Sequence, residues 1–389
     1  MSEPHSGLAL DPDSLADHAL RLWRIARDRI EGRRFDLFLK TATRRRAARA
    51  GAAVPVSISD TLESGLALRV VRPGGTAASL AACSGLSVES LRWVLAAVAK
   101  DGGDATAEMP DSGSVSESHR TDLDPDRRLP SAEELDGWVA NRDDLGWVEC
   151  GTTHEVIVGD QGWTAVRRRH RTWAMTDSKR DRGTLLAARG FRPPAPYTWT
   201  GSRAGNGSTL IFAPNAAAVV VGALLRGIQE GELPLEARVG GGLCVADEPA
   251  HPEGLAGGAF DDAGFDATRT LLADGRRVVS GLPKVGALRR GSYRDAPSTL
   301  TSTPVVFSEA PITTDSSFGV VRSCRILPLS REEWVLSFAA HTPHERASVV
   351  RVTAGALAEG CLGSVGRAVV CADGVISPGL VFRGIEVVQ

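Results

Sequence analysis

The chain has 389 residues, of which 42% are hydrophobic and 24% charged, enough apolar material for a sizeable core divided between two domains. The 45 basic and 47 acidic side chains give a net charge of −2, which argues against general attraction to nucleic acid or an anionic membrane. No apolar run approaches the roughly 20 residues that a membrane-spanning helix needs, and the N-terminus lacks a secretory signal pattern. The six scattered cysteines form no Cys-x-x-Cys pair. We therefore expect a cytoplasmic protein with reduced thiols and no membrane partner.

The first hundred residues predict an N-terminal α+β domain over 1–100. Apolar residues at helical spacing predict helices over 13–31 and 86–100, with Ser87 as the cap of the second. Three strands are predicted between them, at 35–40, 66–71 and 76–81. Arg72-Pro-Gly-Gly75 has the composition of a tight turn between the last two strands. This order favours a meander with helices on one face of the sheet.

Residues 101–130 are rich in Gly, Ser and Asp and are predicted to form a linker or surface loop. A middle β-rich segment is expected over 131–208, opening with the capping box Ser131-Ala-Glu-Glu134. A larger β-rich C-terminal domain is expected over 209–389. An apolar helix over 216–228, preceded by Pro214, would lie buried within it. The fold class is therefore predicted to be α+β, with an antiparallel N-terminal sheet and one buried C-terminal helix.

Standard catalytic signatures are absent from the sequence, which has no Gly-x-Ser-x-Gly elbow and no phosphate loop. His154-Glu155 begins like a zinc-protease motif, but no second histidine follows at helical spacing. His341, His344 and Glu345 fall within five residues and form an alternative site for metal binding or acid–base chemistry. A loop packing role is the competing interpretation for these three residues.

Two further patterns are charged. The run Arg167-Arg-Arg-His-Arg171 resembles a nucleic-acid patch, but in a strand alternate residues face opposite sides, so we favour a solvated edge. A docking surface for an acidic partner or a peptide carboxylate is the other interpretation. Asp261 and Asp262 could bind a metal or share a proton, although an Asx-type turn with Gly264 at positive φ is favoured.

The same acidic stretch carries a family resemblance. Residues 260–275, Phe-Asp-Asp-Ala-Gly-Phe-Asp-Ala-Thr-Arg-Thr-Leu-Leu-Ala-Asp-Gly, resemble a signature of the TldD/PmbA family, the modulators of DNA gyrase. Residues 210–218, 288–293 and 297–300 resemble neighbouring stretches of that family, and their order and spacing strengthen the resemblance. It implies that a substrate slot or interface involves these positions: Phe260, Asp261, Asp262, Gly264, Arg289 and Tyr293.

The resemblance also implies an activity. Two-component members of the family are zinc metallopeptidases in which a TldD subunit carries His-Glu-x-x-x-His and a TldE subunit lacks it. Gly222, Ala223 and Gly227 occupy those motif positions here, so no catalytic residue or metal ligand is expected in this chain. The resemblance therefore implies a TldE-like, non-catalytic subunit of a peptide-trimming heterodimer with zinc on a TldD-like partner, or a homodimer when alone.

Departures from the family pattern leave other interpretations open. Thr299 stands where the family has Asn, and the middle segment is short and rich in arginine. These differences favour a specialised member, for example one that matures a peptide-derived natural product. An independent hydrolase built around His341, His344 and Glu345, and a binding module for protein or nucleic acid, are the alternatives.

Overall fold

The computed structural model describes most of the chain, in two β-sheets with helices packed on them. It describes residues 11–49, 55–75, 77–101, 103–105, 109, 121–123, 128–142, 144–178, 181–192, 209–255, 258, 260, 264–280, 303–308, 311–312, 319–330, 333–340, 347–371 and 374–385. Within these ranges the fold is α+β, which confirms the predicted class.

The first sheet carries three helices in the described part of the chain. Its elements are α1 (Pro12–Arg27), β1 (Phe35–Ala48), β2 (Ser57–Val71), β3 (Ala78–Ser84), α2 (Val88–Asp101), β4 (Gly103–Ala105), β5 (Thr121–Leu123), α3 (Ala132–Ala140), β6 (Leu145–Val158), β7 (Thr164–Ser178) and β8 (Asp181–Arg189). Strands lie in the order β4-β3-β2-β1-β6-β7-β5, with β8 also paired to β7. Neighbours are antiparallel except for β5 and β7.

Local sequence signals explain where these helices begin. The Asp11 carboxylate accepts hydrogen bonds from the backbone of Asp13 and Ser14 at the start of α1. Ser131 and Glu134 form the predicted capping box of α3. Apolar residues of α1 and α2 pack on one face of β1, β2 and β6, so the helices share a face as predicted.

The second sheet contains the larger hydrophobic core. Its elements are β9 (Thr209–Phe212), α4 (Pro214–Glu230), β10 (Leu243–Asp247), β11 (Thr270–Asp274), β12 (Pro304–Ser308), β13 (Gly319–Pro328), β14 (Trp334–Ala340), β15 (Ala347–Val352), α5 (Ala354–Gly360), β16 (Cys361–Val370) and β17 (Ile376–Arg383). The order is β11-β10-β12-β17-β9-β13-β14-β15, with β16 paired to β17. Helix α4 packs on β9, β13 and β17 in this core, and its predicted burial is confirmed.

Several boundaries differ from the sequence prediction. Strands β6 and β7 of the middle segment lie between β1 and β5 in the first sheet, and β8 pairs with β7. Strands β1 and β2 are also longer than predicted, because their polar distal halves lack the apolar pattern that marks a buried strand. Among the described residues, no helix combines the length and apolarity needed to cross a membrane.

Candidate functional site

Helix α4 carries the positions at which the resemblance places the zinc motif. Ala223 is buried in the core, and a Cβ added at Gly227 would lie 3.3 Å from the indole of Trp334. Gly222 is only partly buried, and a Cβ there would meet nothing within 4 Å. The two glycines therefore differ in their surroundings: the Trp334 indole packs against Gly227, whereas Gly222 borders open space.

These positions do not fit a metal ion. None of the three residues has a side-chain donor atom. Within the described ranges, no group of three or more His, Cys, Asp or Glu side chains is placed to hold a metal.

The family-like segment lies between β10 and β11 and contacts the first sheet. Its Phe260 ring is buried with Phe38, Ile157 and Trp163 in a small apolar cluster. Gly264 has a φ of +89°, and a Cβ there would overlap the Trp163 ring. The expected positive φ at Gly264 is therefore confirmed, and close approach of the indole is a second reason for glycine.

Beside this cluster lies a group of buried charges, which we call the Glu155 cluster: Lys40, Glu155, Arg167 and Arg169. The Glu155 carboxylate accepts a hydrogen bond from Arg167 Nε at 2.7 Å and lies 3.4 Å from an Arg169 terminal nitrogen. All four residues are buried. Arg167 also donates to the backbone carbonyl oxygen of Phe260 at 3.0 Å, with its guanidinium 5.2 Å from the centre of the Phe260 ring.

The electrostatics of this cluster keep Glu155 ionised at neutral pH. Burial alone would raise the pKa of Glu155, but the positive charges of Arg167, Arg169 and Lys40 lower that pKa by more, so the net shift is downward. A carboxylate in this state does not exchange protons near neutral pH. The cluster therefore holds the segment that contains Phe260 and Gly264 against the first sheet rather than performing acid–base chemistry.

The structure corrects the solvated-edge interpretation of residues 167–171. Arg167, Arg169 and His170 are buried, and β7 lies between β6 and its other partners β5 and β8. The register of β6 and β7 confirms that alternate residues face opposite sides of the sheet. Arg167 lies opposite Glu155 on one face, whereas Arg168 lies opposite His154 on the other. His154 and Glu155 therefore point to opposite faces and cannot ligate one ion.

Several predicted site residues lie outside the described part of the chain, and nothing is concluded about their placement. They are Asp261, Asp262, Arg289, Tyr293, His341, His344 and Glu345. Sequence reasoning missed Trp163, Lys40 and the partnership of Glu155 with Arg167. The available signal was the Gly159–Gly162 turn, which implies a hairpin and so places Glu155 across from Arg167.

No family model matches the chain, and no curated protein matches it in sequence. Solved structures do match its fold. TldE from Thermococcus kodakarensis aligns with a TM-score of 0.66 at 12% identity, covering 96% of this chain and 100% of that one. A candidate modulator of DNA gyrase from Bacteroides thetaiotaomicron aligns with a TM-score of 0.62 at 11% identity over 96% and 98% of the two chains. A similarly described protein from Thermotoga maritima aligns with a TM-score of 0.59 at 11% identity, covering 95% of this chain and 99% of that one. The resemblance to the TldD/PmbA family is therefore confirmed for the fold, along nearly the whole chain.

Proposed function

We propose that this chain is a TldE-like, non-catalytic subunit of a cytoplasmic two-component zinc metallopeptidase that trims small or unfolded peptides. In this proposal a TldD-like subunit with His-Glu-x-x-x-His supplies the zinc and the catalytic carboxylate. This chain completes the substrate cleft, and the maturation of a peptide-derived natural product is one role that such an assembly could serve.

One observation carries the proposal. The fold is similar to that of TldE over 96% of the chain, while its own motif helix has Gly222, Ala223 and Gly227 where ligands would be needed. The buried surroundings of Ala223 and Gly227 leave no room for longer side chains, so α4 is a structural helix in this chain. A subunit of this kind contributes shape and contacts rather than bond cleavage.

The Glu155 cluster supports the same role. It joins a loop of the second sheet to the first sheet through Arg167 and Phe260, and its four side chains are buried. A fixed junction of this kind keeps the two sheets in one arrangement, which a subunit needs if it is to form one side of a substrate cleft.

The test is reconstitution with a His-Glu-x-x-x-His subunit from the same genome. The full chain, the partner and their equimolar mixture are assayed with a library of short unstructured peptides, with and without a chelator. We expect chelator-sensitive cleavage by the mixture, co-elution of the two chains on size exclusion, and zinc in proportion to the partner. A partner in which the first motif histidine is changed to alanine is the inactive control.

Assays of the isolated chain, without the partner, are the control that can overturn the proposal. Cleavage by this chain alone that persists in chelator would overturn the proposal, as would stoichiometric zinc in the isolated chain. Absence of any complex with the partner would also overturn it. Size exclusion of the isolated chain additionally tests whether it forms the homodimer expected in the absence of a partner.

A further inference from the structure

A band of polar residues crosses the first sheet between its two helix-covered apolar clusters. On the face that packs against the helices, the register sets seven polar side chains in two neighbouring rows. We call them the polar band: Ser64, Thr41, His154 and Arg168 in one row, and Thr43, Thr152 and His170 in the next. On one side Leu39 and Val156 pack with α1 and α2, and on the other Ala47 and Val148 pack with α3. The band therefore lies between the two layers of helix.

Two hydroxyl groups of the polar band are buried and unpaired. Thr41 is only 3% exposed, and neither its Oγ1 atom nor that of Thr43 has a hydrogen-bond partner among the described residues. Leaving a buried hydroxyl without a partner is destabilising, and valine, which has nearly the same shape, would avoid that cost. Two such threonines on one face of β1 therefore indicate that a polar group from outside the chain accepts hydrogen bonds from them.

The charge of the polar band selects the kind of group. Arg168 is the only one of the seven residues with a permanent charge, and none of the seven carries a carboxylate. In the row beyond Thr43, Arg45 and Asp60 form an ion pair with a nitrogen–oxygen distance of 2.6 Å, so their charges largely cancel. The net charge of the described residues in these rows is therefore positive.

Two helices begin at the edges of the polar band. The Gly85 amide donates to the carbonyl oxygen of Ser64 at 3.0 Å, which brings the start of α2 next to that residue. Arg45 donates to the carbonyl oxygen of Pro130 at 3.0 Å, just before α3 begins. The first turn of a helix carries a partial positive charge, so both helix starts add to the potential of Arg168. The surroundings therefore favour an anionic ligand.

We propose that the polar band binds a phosphate group, either as free phosphate or as the phosphate monoester of a small molecule. The phosphate oxygens accept hydrogen bonds from Thr41 and Thr43, and Arg168 balances the charge. A hard metal cation does not fit, because it requires carboxylate ligands, and an apolar ligand would leave the hydroxyls unpaired. Ser64 and Thr152 are only partly buried, so the ligand enters from their side, with rotation of the threonine side chains to meet it. This inference is independent of the proposed function.

The test titrates the full chain with inorganic phosphate, against potassium chloride at equal ionic strength. We expect phosphate to raise the melting temperature in a saturable way, as mass action requires for a ligand of the folded state, and calorimetric titration to give one site. Glycerol phosphate is the second probe. Tighter binding of the monoester would identify a phosphorylated small molecule as the ligand, and tighter binding of phosphate would identify the free ion. The absence of saturable binding, or an equal effect of chloride, would overturn the proposal.

Variants of the chain locate the site. Thr41→Val and Arg168→Gln should each weaken phosphate binding by at least about tenfold. Without phosphate, Thr41→Val should not lower the melting temperature, because it removes a buried hydroxyl that has no partner; a lower value would show that the hydroxyl is paired within the protein and would refute the proposal. Thr153→Val, one residue along β6 from the band but facing the other side of the sheet, is the matched control and should bind normally.

The imidazole groups give a readout that does not depend on stability. Phosphate should shift the NMR resonances of the His154 and His170 rings, assigned by single His→Gln variants, because both lie in the polar band. The ring of His251, which follows β10 in the second sheet, should not shift. Unchanged resonances of both band histidines, unchanged affinity in Thr41→Val and Arg168→Gln, or loss of binding in Thr153→Val would each refute the site.

Discussion

Replacing Glu155 by glutamine removes the negative charge of the buried cluster while keeping the size of the side chain. Arg167, Arg169 and Lys40 would then lie in a buried site without the negative charge of Glu155. Breaking a buried ion pair by removing one partner costs about 3–5 kcal/mol, and because the amide oxygen can still accept from Arg167 we expect about 3 kcal/mol. The matched control is Glu149→Gln on the same face of β6. Its carboxylate is 21% exposed and 3.9 Å from Arg44, so it should lose less than about 1 kcal/mol.

The pH dependence of this variant gives a second, independent measurement. The folded-state pKa of Glu155 is lowered, so its contribution to stability is complete above the unfolded pKa of about 4.3 and is lost as pH falls below it. Urea unfolding followed by tryptophan fluorescence, at neutral pH and at several acidic values, measures this directly. The difference between wild type and Glu155→Gln should be constant near neutrality and shrink on acidification. A difference below about 1 kcal/mol at neutral pH, or one that does not change in acid, would refute the electrostatic role assigned to the cluster.

Three further predictions concern single positions. Gly264→Ala should lower the unfolding free energy by about 2–4 kcal/mol, because the residue has a positive φ and the added Cβ would overlap an indole. Gly374 has a similar φ but no neighbour near the added Cβ, so Gly374→Ala should lower the unfolding free energy by only about 1 kcal/mol. Gly222→Ala should raise the melting temperature, because alanine favours a helix by about 1 kcal/mol and its Cβ would meet no neighbouring atom. Gly227→Ala should raise the melting temperature less, because its Cβ would lie 3.3 Å from an indole. An equal rise for both variants would contradict this packing. Burial raises the pKa of Cys150 to about 12, so its thiol should not react at pH about 8 in the native protein. Peptide mapping after alkylation should find Cys150 modified only in denaturant, and modification in the native protein would contradict its burial.

Local signals in the sequence predict the helices well and the exposed strands poorly. Ser87 and Ser131 mark helix starts that the structure shows, because capping depends on a few adjacent residues, whereas α1 is capped by Asp11 rather than by Asp13 or Ser14, which its sequence pattern favours. Strand β17 was missed, although it lies between β12 and β9 in the second sheet. Its Ser-Pro-Gly run, residues 377–379, is typical of turns, and Pro378 is accommodated opposite an irregularity in the pairing of β16 with β17.

The candidate site was only partly accessible from the sequence. The missing ligands at Gly222, Ala223 and Gly227 can be seen directly, since residue type alone decides whether a metal can bind. The meaning of the arginine run could not be predicted. Whether Arg167 is solvated or buried depends on Glu155 across the hairpin and on Phe260 almost a hundred residues away, and hydrophobic patterns carry no information about such partners.

The sequence by itself determined the α+β class, the capped helices and the absence of donor atoms at the motif positions of α4, because each depends on residue type or on near neighbours. Only the tertiary structure decided that the strands of the middle segment complete the first sheet, and that Glu155 is ionised among buried cations beside Phe260. These features depend on which strands lie side by side. Strand order is set by contacts between distant segments, and no local pattern in the chain encodes it.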